Sequence, residues 1–180
     1  YDFCESRAGE HARAFLGDWK GSLICDDYAG YKQSIARGIT EVGCLAHARR
    51  KFFDLHAANK SQVAQSALQQ IATIYEIERE LKNLEPGERQ RIRQLRSAPV
   101  MDALQRWMLL TRQKITDGSA TAKALDYSLK RWGALRYRYG VARTAPATPP
   151  AAKVDDHRRG PSLVGRFSPR TAPTAEPAQI

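Results

Sequence analysis

Two adjacent carboxylates stand where an apolar run of the sequence ends. Residues 21–25 have the length and composition of a buried strand, and Asp26 and Asp27 follow directly. A carboxylate at the mouth of such a strand is a hard oxygen ligand, of the kind that holds Mg²⁺ beside phosphate oxygens and water. The same side chains could instead cap the turn that follows. The sequence therefore offers Asp26 as a metal ligand, with turn capping as the alternative.

Cys44 and His47 lie three residues apart, directly after a second apolar run. A Cys and a His at this spacing are half of a zinc site, because zinc binds thiolate sulfur and imidazole nitrogen. The other half would have to come from Cys4, Cys25 or His56. None of these forms a second closely spaced pair in the sequence, so zinc is the weaker interpretation.

Two groups of basic side chains could contact phosphates. They comprise Arg49, Arg50, Lys51, Arg89, Arg91, Arg93 and Arg96. The net charge of the chain is +10, so its field raises the local concentration of polyanions. Both groups are therefore candidate contacts for a nucleic-acid backbone, and a solvated helix face is the alternative for each.

The residues around the two carboxylates alternate between strand and helix patterns. Residues 1–4, 21–25 and 39–44 have strand-like patterns, and the two intervening stretches carry helical spacing. Such alternation indicates an α/β sheet with helices packed on it. We expect the strands to be neighbours in one sheet, with Asp26 at a carboxyl end.

From residue 46 onwards the pattern is helical. It predicts a long helix over residues 61–84 that stops at Pro86, and a mostly solvent-facing helix over residues 88–97 that Pro99 breaks. A further helix follows, and a last one begins near Ser119, whose hydroxyl is placed to cap it. Apolar side chains of this last helix recur at steps of three or four as far as Leu135.

Composition changes after Gly140. Seven of the nine prolines lie in residues 141–180, where no apolar periodicity remains. Such a segment cannot bury enough surface to offset its ordering entropy, so we expect it to be disordered and removable without loss of folded structure. The three cysteines and the lack of a secretory signal or membrane span in the sequence favour the cytoplasm.

Four blocks of the sequence, in unbroken order, resemble the catalytic domain of insertion-sequence 66 family transposases. They read YDFCESRAGEHARAFLGDWKGSLICDDYAGY (1–31), GCLAHARRKFFDL (43–55), IxxIYEIE (71–78) and SATAKALDYSLKRW (119–132). The resemblance implies a ribonuclease-H-like mixed sheet with a large helical insertion. It also implies a DDE mechanism, in which three acids hold two Mg²⁺ ions. Asp26 matches the second acid, and Cys44 and His47 match the Cys-x-x-His signature that follows it.

The resemblance also implies two acids that this sequence does not supply. The first is expected on a strand upstream of Tyr1, so we treat the chain as an N-terminally truncated fragment. The third is expected in an Asp-Asn-Asn-x-x-Glu motif, where residues 137–140 instead read YRYG. A shift of reading frame near Leu135 explains that change. No helix is predicted to position the acids of the tail, which are Asp155, Asp156 and Glu176.

The resemblance divides the chain into four segments. We predict a partial ribonuclease-H-like core at 1–57, a helical insertion at 58–115, a helix leading to the missing acidic motif at 116–140, and a disordered tail at 141–180. The predicted function is that of a DDE transposase fragment that binds DNA and belongs to a DNA-cleaving and strand-transferring enzyme. This chain is expected to be inactive by itself. A DNA-binding regulatory fragment, a non-functional remnant and a basic RNA-binding protein are the alternatives, and a homo-oligomer stays open.

Overall fold

The computed structural model describes residues 2–3, 6, 8–140, 152–153 and 163–164. This part of the chain is mostly helical, with a small parallel sheet. Its strands are β1 (Asp2–Phe3), β2 (Ser22–Cys25), β3 (Thr40–Gly43), β4 (Ala152–Lys153) and β5 (Leu163–Val164). The two strands predicted beside the carboxylate pair and the Cys-x-x-His pair are thus confirmed, each within a residue or two of its predicted bounds.

The sheet that carries the carboxylates has the order β3-β2-β4, and all its described pairs are parallel. β2 and β3 pair from Ser22 with Thr40 to Cys25 with Gly43, so their carboxyl ends lie at the same edge. The expectation that all strands of residues 1–44 share one sheet is wrong for β1, which pairs antiparallel with β5. β1 lies in a separate two-stranded sheet, because both of its residues take their strand partners from β5.

Short helices connect these strands. They are α1 (Gly9–Leu16), a 3-10 turn (Ala29–Tyr31) and α2 (Lys32–Ala36). A small buried cluster joins α1 to the sheet through Leu16, Leu23, Cys25 and Ile39. The alternation of strand and helix predicted for this part is therefore confirmed, with the second helix shorter than its pattern suggested.

The remaining helices form the larger part of the molecule. They are α3 (Leu45–Asn59), α4 (Gln62–Glu80), α5 (Pro86–Ile92), α6 (Ala98–Arg112), α7 (Ala120–Lys130) and α8 (Trp132–Gly140). Their largest fully buried side chains include Phe52, Ile71, Met101 and Leu125, which belong to one cluster. That cluster packs side chains from both sides of residues 57 and 115, and the segment boundaries proposed there stay predictions.

Neither Pro86 nor Pro99 ends a helix in the way that the sequence predicted. The long helix ends at Glu80, ahead of Pro86, which instead occupies the first turn of α5. Pro99 breaks no helix, because a π-helical segment (Arg93–Ser97) joins α5 to α6 without interruption. A π turn widens the helix just where the proline ring would clash with the carbonyl four residues back, that of Leu95. Leu95 itself is 65% exposed, in keeping with the mostly solvent-facing helix predicted over residues 88–97.

The last predicted helix is two helices. Ser119 caps α7 as expected, accepting a hydrogen bond from the Ala122 N–H at 3.1 Å. The helix then ends at Arg131, whose φ of −104° and ψ of 13° leave the helical region, and α8 begins at Trp132. The prediction of one continuous helix is wrong, and the break lies where the buried Arg131 side chain contacts Cys25 and Glu41 of the sheet.

The disordered tail predicted for residues 141–180 lies outside the described residues, apart from β4 and β5. The side chains Asp155, Asp156 and Glu176 also lie outside them.

Candidate active site and basic cavity

Parallel pairing brings the functional residues predicted in two separate strands to one edge of the sheet. Asp26 follows β2 and Cys44 follows β3, and the Cys44 N–H donates to the Cys25 carbonyl at 3.1 Å. The backbone ladder thus continues one residue beyond the strands. Asp26 and Cys44 therefore leave the sheet side by side, and the expectation of Asp26 at the carboxyl end of a strand is confirmed.

Asp26 is half-buried and takes part in the turn after β2. Its Oδ1 accepts a hydrogen bond from the Tyr28 N–H at 3.0 Å. This contact matches the capping alternative, and it also fixes the carboxylate in one orientation. Capping through one oxygen and metal binding are compatible roles for a carboxylate, so the contact does not decide between them.

Asp27 pairs with two cations, Arg131 and Lys32. Its Oδ1 lies 2.6 Å from Arg131 Nη1 and 3.3 Å from Lys32 Nζ. Burial acts to raise the pKa of Asp27, but hydrogen bonds from Arg131 and Lys32 together hold that pKa below its ordinary value. Asp27 is therefore ionised and paired with these two cations.

Arg131 is the centre of this charge network. Its buried guanidinium donates a hydrogen bond to Asp27. It also lies 2.8 Å from a Glu41 oxygen and donates to the Cys25 carbonyl at 3.4 Å. Lys32 Nζ lies 3.9 Å from Glu41 as well. Two cations and two carboxylates thus close the edge of the sheet beside Asp26. Sequence reasoning missed Arg131 and Glu41. The signal that could have found them is a charged residue among apolar positions, Glu41 in the strand before Cys44 and Arg131 beside Trp132 in the last predicted helix.

Tyr127 of α7 lies over the same edge. Burial raises the pKa of its phenol, Arg131 lowers it, and the nearby Asp27 and Asp26 carboxylates raise it further. The Lys51 ammonium lies 5.4 Å from the Tyr127 ring centroid and the Arg131 guanidinium 6.0 Å. Tyr127 therefore links the carboxylate edge to the first basic group, a connection that sequence spacing did not show.

Cys44 and His47 occupy the start of α3. Cys44 is its N-cap residue, and the His47 N–H donates to the Cys44 carbonyl at 3.1 Å. His56, a candidate fourth ligand, has Nδ1 3.2 Å from the Ser61 carbonyl oxygen instead. Within the described ranges no group of three or more His, Cys, Asp or Glu residues could hold a metal ion. The zinc interpretation thus finds no ligand set in this part of the chain.

Many of the predicted phosphate-binding cations have partners inside the molecule. Arg50 pairs with Asp54, Arg91 with Glu88, Arg93 with Glu78 and Arg96 with Glu80. Arg49 stacks over the Phe53 ring at 5.7 Å. Pairing reduces the field that each cation presents to a polyanion, and whether these residues contact DNA stays a prediction.

Three of the predicted cations come together in one cavity. It is open to solvent, has a volume of about 670 Å³ and is lined by α3, α4, the turn after α4, α5, the π segment and α8. Its cations, which define the basic cavity, are Arg49, Arg79, Lys82, Arg89, Arg93 and Arg138. Among the described residues, Glu78 is the one carboxylate that lines it. Arg49 and Arg89 belong to basic groups forty residues apart in the sequence, and sequence reasoning missed Arg79, Lys82 and Arg138 altogether.

Comparison with known proteins identifies the family. The profile described as Transposase IS66 family matches residues 1–146. The chain belongs to the IS66 transposase family. The match includes Asp26, the Cys44 and His47 pair, and both basic groups. An unrelated RNA-binding protein would resemble this family only by chance, and a match of this length is not explained by chance.

Relatives of this IS66 family chain occur in Sinorhizobium fredii (strain NBRC 101917 / NGR234). It is 39% identical over 142 residues to the uncharacterized protein y4jD, covering 75% of this chain and 28% of y4jD. It is 33% identical over 149 residues to the uncharacterized protein y4hP, covering 73% of this chain and 27% of y4hP. The chain thus spans little more than a quarter of the length of these relatives. No solved structure matches it.

The DDE name of the family implies a divalent metal, and the described residues do not fit a resident metal centre by themselves. Asp26 supplies one carboxylate, and its neighbour Asp27 is already paired with Arg131 and Lys32. Two-metal sites need several carboxylates to hold cations roughly 3.5–4 Å apart. In the part of the chain that is described, no helix is long and apolar enough to cross a membrane.

Proposed function

We propose that this chain is a fragment of the catalytic domain of a DDE transposase that cleaves and joins DNA, with Asp26 as one of its metal-binding acids. The observation that carries the proposal is the IS66 family match through residues 1–146. The placement of Asp26 at the carboxyl end of a strand in a parallel pair supports it. A ribonuclease-H-like sheet is part of the same proposal, because such a sheet presents carboxylates at strand ends.

Cys44 and His47 support Asp26 from the adjacent strand in this proposal. Cys44 follows β3 as Asp26 follows β2. The Arg131 network closes the other side of the edge. The hydrogen bond from the Tyr28 N–H holds the Asp26 carboxylate itself in one orientation, a requirement for a ligand that must keep its geometry.

The 180-residue chain is expected to cleave no DNA by itself. Phosphoryl transfer through two Mg²⁺ ions needs several acids around the scissile phosphate, and one carboxylate cannot fix that geometry. Activity is therefore expected to be absent rather than reduced. Weak binding of a single divalent cation at Asp26 is the property that remains.

A Mn²⁺ titration followed by nuclear magnetic resonance tests the role of Asp26. Paramagnetic broadening is expected to centre on residues around Asp26 in the wild-type chain and in Asp54→Asn, a control that removes an exposed carboxylate on α3. The broadening is expected to vanish in Asp26→Asn. Equal broadening in Asp26→Asn and wild type would remove Asp26 from the metal site.

A cleavage assay on radiolabelled DNA tests the expected inactivity. Wild type and Asp26→Asn are incubated with Mg²⁺ or Mn²⁺, and neither is expected to release product. Metal-dependent cleavage by the wild type that disappears in Asp26→Asn would contradict the proposal. It would show that other acids, of this chain or of a second copy, complete the centre.

The second candidate is a DNA-binding fragment that modulates an intact transposase. The basic cavity favours it, because six cations there face one carboxylate. DNA binding that rests on phosphate contacts should be weakly sequence-dependent and should fall steeply as salt rises. Binding in the absence of cleavage is compatible with both candidates, and inhibition of transposition by the co-expressed chain would favour the second.

A further inference from the structure

The basic cavity has an excess of positive charge that the described residues do not compensate. Its six cations and its one carboxylate leave a formal excess of five charges (six minus one). Arg93 binds both oxygens of Glu78 at 2.7 Å, and Arg138 lies 3.0 Å from the same carboxylate. Glu78 thus already pairs with two of the six cations, Arg93 and Arg138.

Among the described residues, the other cations have weaker partners than Glu78, or no charged partner. Arg79 lies 3.8 Å from Glu76 in a solvent-exposed pair. Arg89 Nε is buried and has no hydrogen-bond partner among the described residues. A buried donor without a partner is unfavourable, so Arg89 Nε favours an acceptor that enters the cavity, such as a phosphate oxygen or water.

The shape and the remaining lining suit a phosphate attached to a larger group. A volume of about 670 Å³ exceeds the needs of a bare anion and lies within the range of small-ligand clefts. Tyr75 lines the cavity, and burial raises the pKa of its phenol, which keeps a neutral O–H available as a donor. Leu68 and Ala72 add apolar wall on the same helix.

We propose that the basic cavity binds a backbone phosphate of DNA together with its sugar, with Arg89 and Lys82 as direct contacts and Arg93 held in place by Glu78. This inference rests on the proposed function, which makes DNA the partner. It adds to that function a specific binding position among the helices, lined by residues other than Asp26 and the Arg131 network. Phosphate contacts of this kind position a duplex without reading its sequence.

The structure supplies a matched pair of variants. Arg89→Gln removes the buried donor of the cavity. Arg91→Gln makes the same charge change two residues away, on an exposed side chain that pairs with Glu88 and does not line the cavity. A third variant, Arg89→Lys, keeps the charge but shortens the side chain and removes the fork of donors.

The experiment measures the affinity of the 180-residue chain for a short fluorescent DNA duplex from about 50 to 200 mM salt. Arg89→Gln is expected to weaken binding about tenfold at low salt and to reduce the slope of log affinity against log salt by about one. Lys82→Gln should behave similarly, and Arg89→Lys should lie between Arg89→Gln and wild type. Arg91→Gln should stay within about threefold of wild type, since its charge is already paired.

Three outcomes overturn the inference. Equal losses in Arg89→Gln and Arg91→Gln would mean that net charge alone governs binding, and wild-type affinity in Arg89→Gln would exclude the cavity. Free phosphates are tested with inorganic pyrophosphate and a nucleoside triphosphate in thermal melts of the same variants. Arg89-dependent stabilisation by these anions without DNA binding would overturn DNA as the occupant.

The failure of this inference is distinguishable from a failure of the proposed function. Metal binding at Asp26 is read by Mn²⁺ broadening, which does not depend on Arg89. Asp26-dependent broadening together with DNA binding that does not depend on Arg89 would contradict only the cavity proposal. DNA binding that depends on Arg89, without broadening at Asp26, would contradict only the metal role of Asp26.

Discussion

At the scale of single residues, Arg131 determines the order of the carboxylate edge. It is buried, it joins α7 and α8 to β2 and β3, and it neutralises two carboxylates at once. If Arg131 is removed, each carboxylate stays partly shielded from water but loses the cation that stabilised its charge, which destabilises the folded state. Asp26 itself has no contact with Arg131 among the hydrogen bonds and ion pairs of the described residues, so Arg131 acts on it through Asp27 and the Cys25 carbonyl.

Arg131→Gln is expected to lower the free energy of unfolding by roughly 1–3 kcal/mol, less than for a fully buried pair because Asp27 is half-exposed. Urea denaturation at neutral pH measures the change. The control is Arg96→Gln, which removes one member of an exposed pair with Glu80 and should cost at most about 1 kcal/mol. Equal effects of the two substitutions would show that the Arg131 network is no more important to stability than a surface pair.

Cys25 gives a residue-scale prediction on reactivity. Its side chain is 2% exposed, and burial, together with Glu41, raises the pKa of its thiol from 9.0 to about 11. The thiolate is the reactive species, so Cys25 should resist iodoacetamide at pH 8 in the folded chain and react once urea is added. Peptide mass mapping reads the outcome. Alkylation of Cys25 in the folded chain at the rate of a free thiol would contradict the burial.

The same raised pKa predicts a pH dependence of stability. The folded chain holds the Cys25 proton more tightly than the unfolded chain, so this contribution is complete below pH 9.0 and is lost as pH rises toward 11. The comparison is with Cys25→Ala, in which the decline between these pH values should be smaller. Parallel stability curves for the two chains would refute the assignment.

At the scale of elements, the site depends on how closely α8 approaches β3. A Cβ atom built at Gly43 would lie 2.9 Å from the Leu135 backbone nitrogen and 3.0 Å from Leu135 Cδ2. These distances are too short for an ordinary contact, and the first of them involves backbone that cannot rotate away. Gly43 therefore allows α8 to pack against the strand whose end carries Cys44.

Gly43→Ala is expected to lower the free energy of unfolding by about 1–3 kcal/mol, because α8 or β3 has to shift. The control is Gly133→Ala, in the first turn of α8, where a Cβ would meet nothing within 4 Å. That substitution should leave stability unchanged or raise it by up to about 1 kcal/mol through helix propensity. Thermal and urea melts measure both, and a stabilising Gly43→Ala would contradict the close packing of α8 on β3.

At the scale of the whole molecule, the described chain has two buried clusters of unequal size. The large one joins residues of α3, α4, α6, α7 and α8, and the small one ties α1 to the sheet. The contributions of β4 to the parallel sheet are limited to two paired positions, with Leu23 and Ile24. Most of the apolar burial that stabilises the described fold therefore lies within residues 16–139.

Truncation after Gly140 is expected to leave the helical fold intact. The shortened chain loses the two-residue strands β4 and β5 but keeps both clusters, so its melting temperature should fall by no more than about 3 °C. Circular dichroism should show the same helical signal per folded residue. A fall of about ten degrees or more would mean that residues 141–180 make stabilising contacts with the described fold.

The sequence by itself determined the local elements. The apolar runs before Asp26 and Cys44 are strands, Ser119 is an N-cap, and helices follow from residue 45, since strand and helix periodicity and capping are properties of neighbours in the chain. The family was also predictable from four ordered blocks of sequence, which the match over residues 1–146 confirms. Asp26 as metal ligand and the basic groups as DNA contacts stay predictions.

Tertiary structure decided which of those elements meet. Parallel pairing set Asp26 beside Cys44, and the break at Arg131 made this residue the buried partner of Asp27 and Glu41. Packing of α3, α4, α5 and α8 collected Arg49, Arg89 and Arg138 around one cavity. The physical reason is that contacts between residues far apart in sequence depend on the directions in which helices leave their caps and on the space between them, and neither quantity is written in local periodicity.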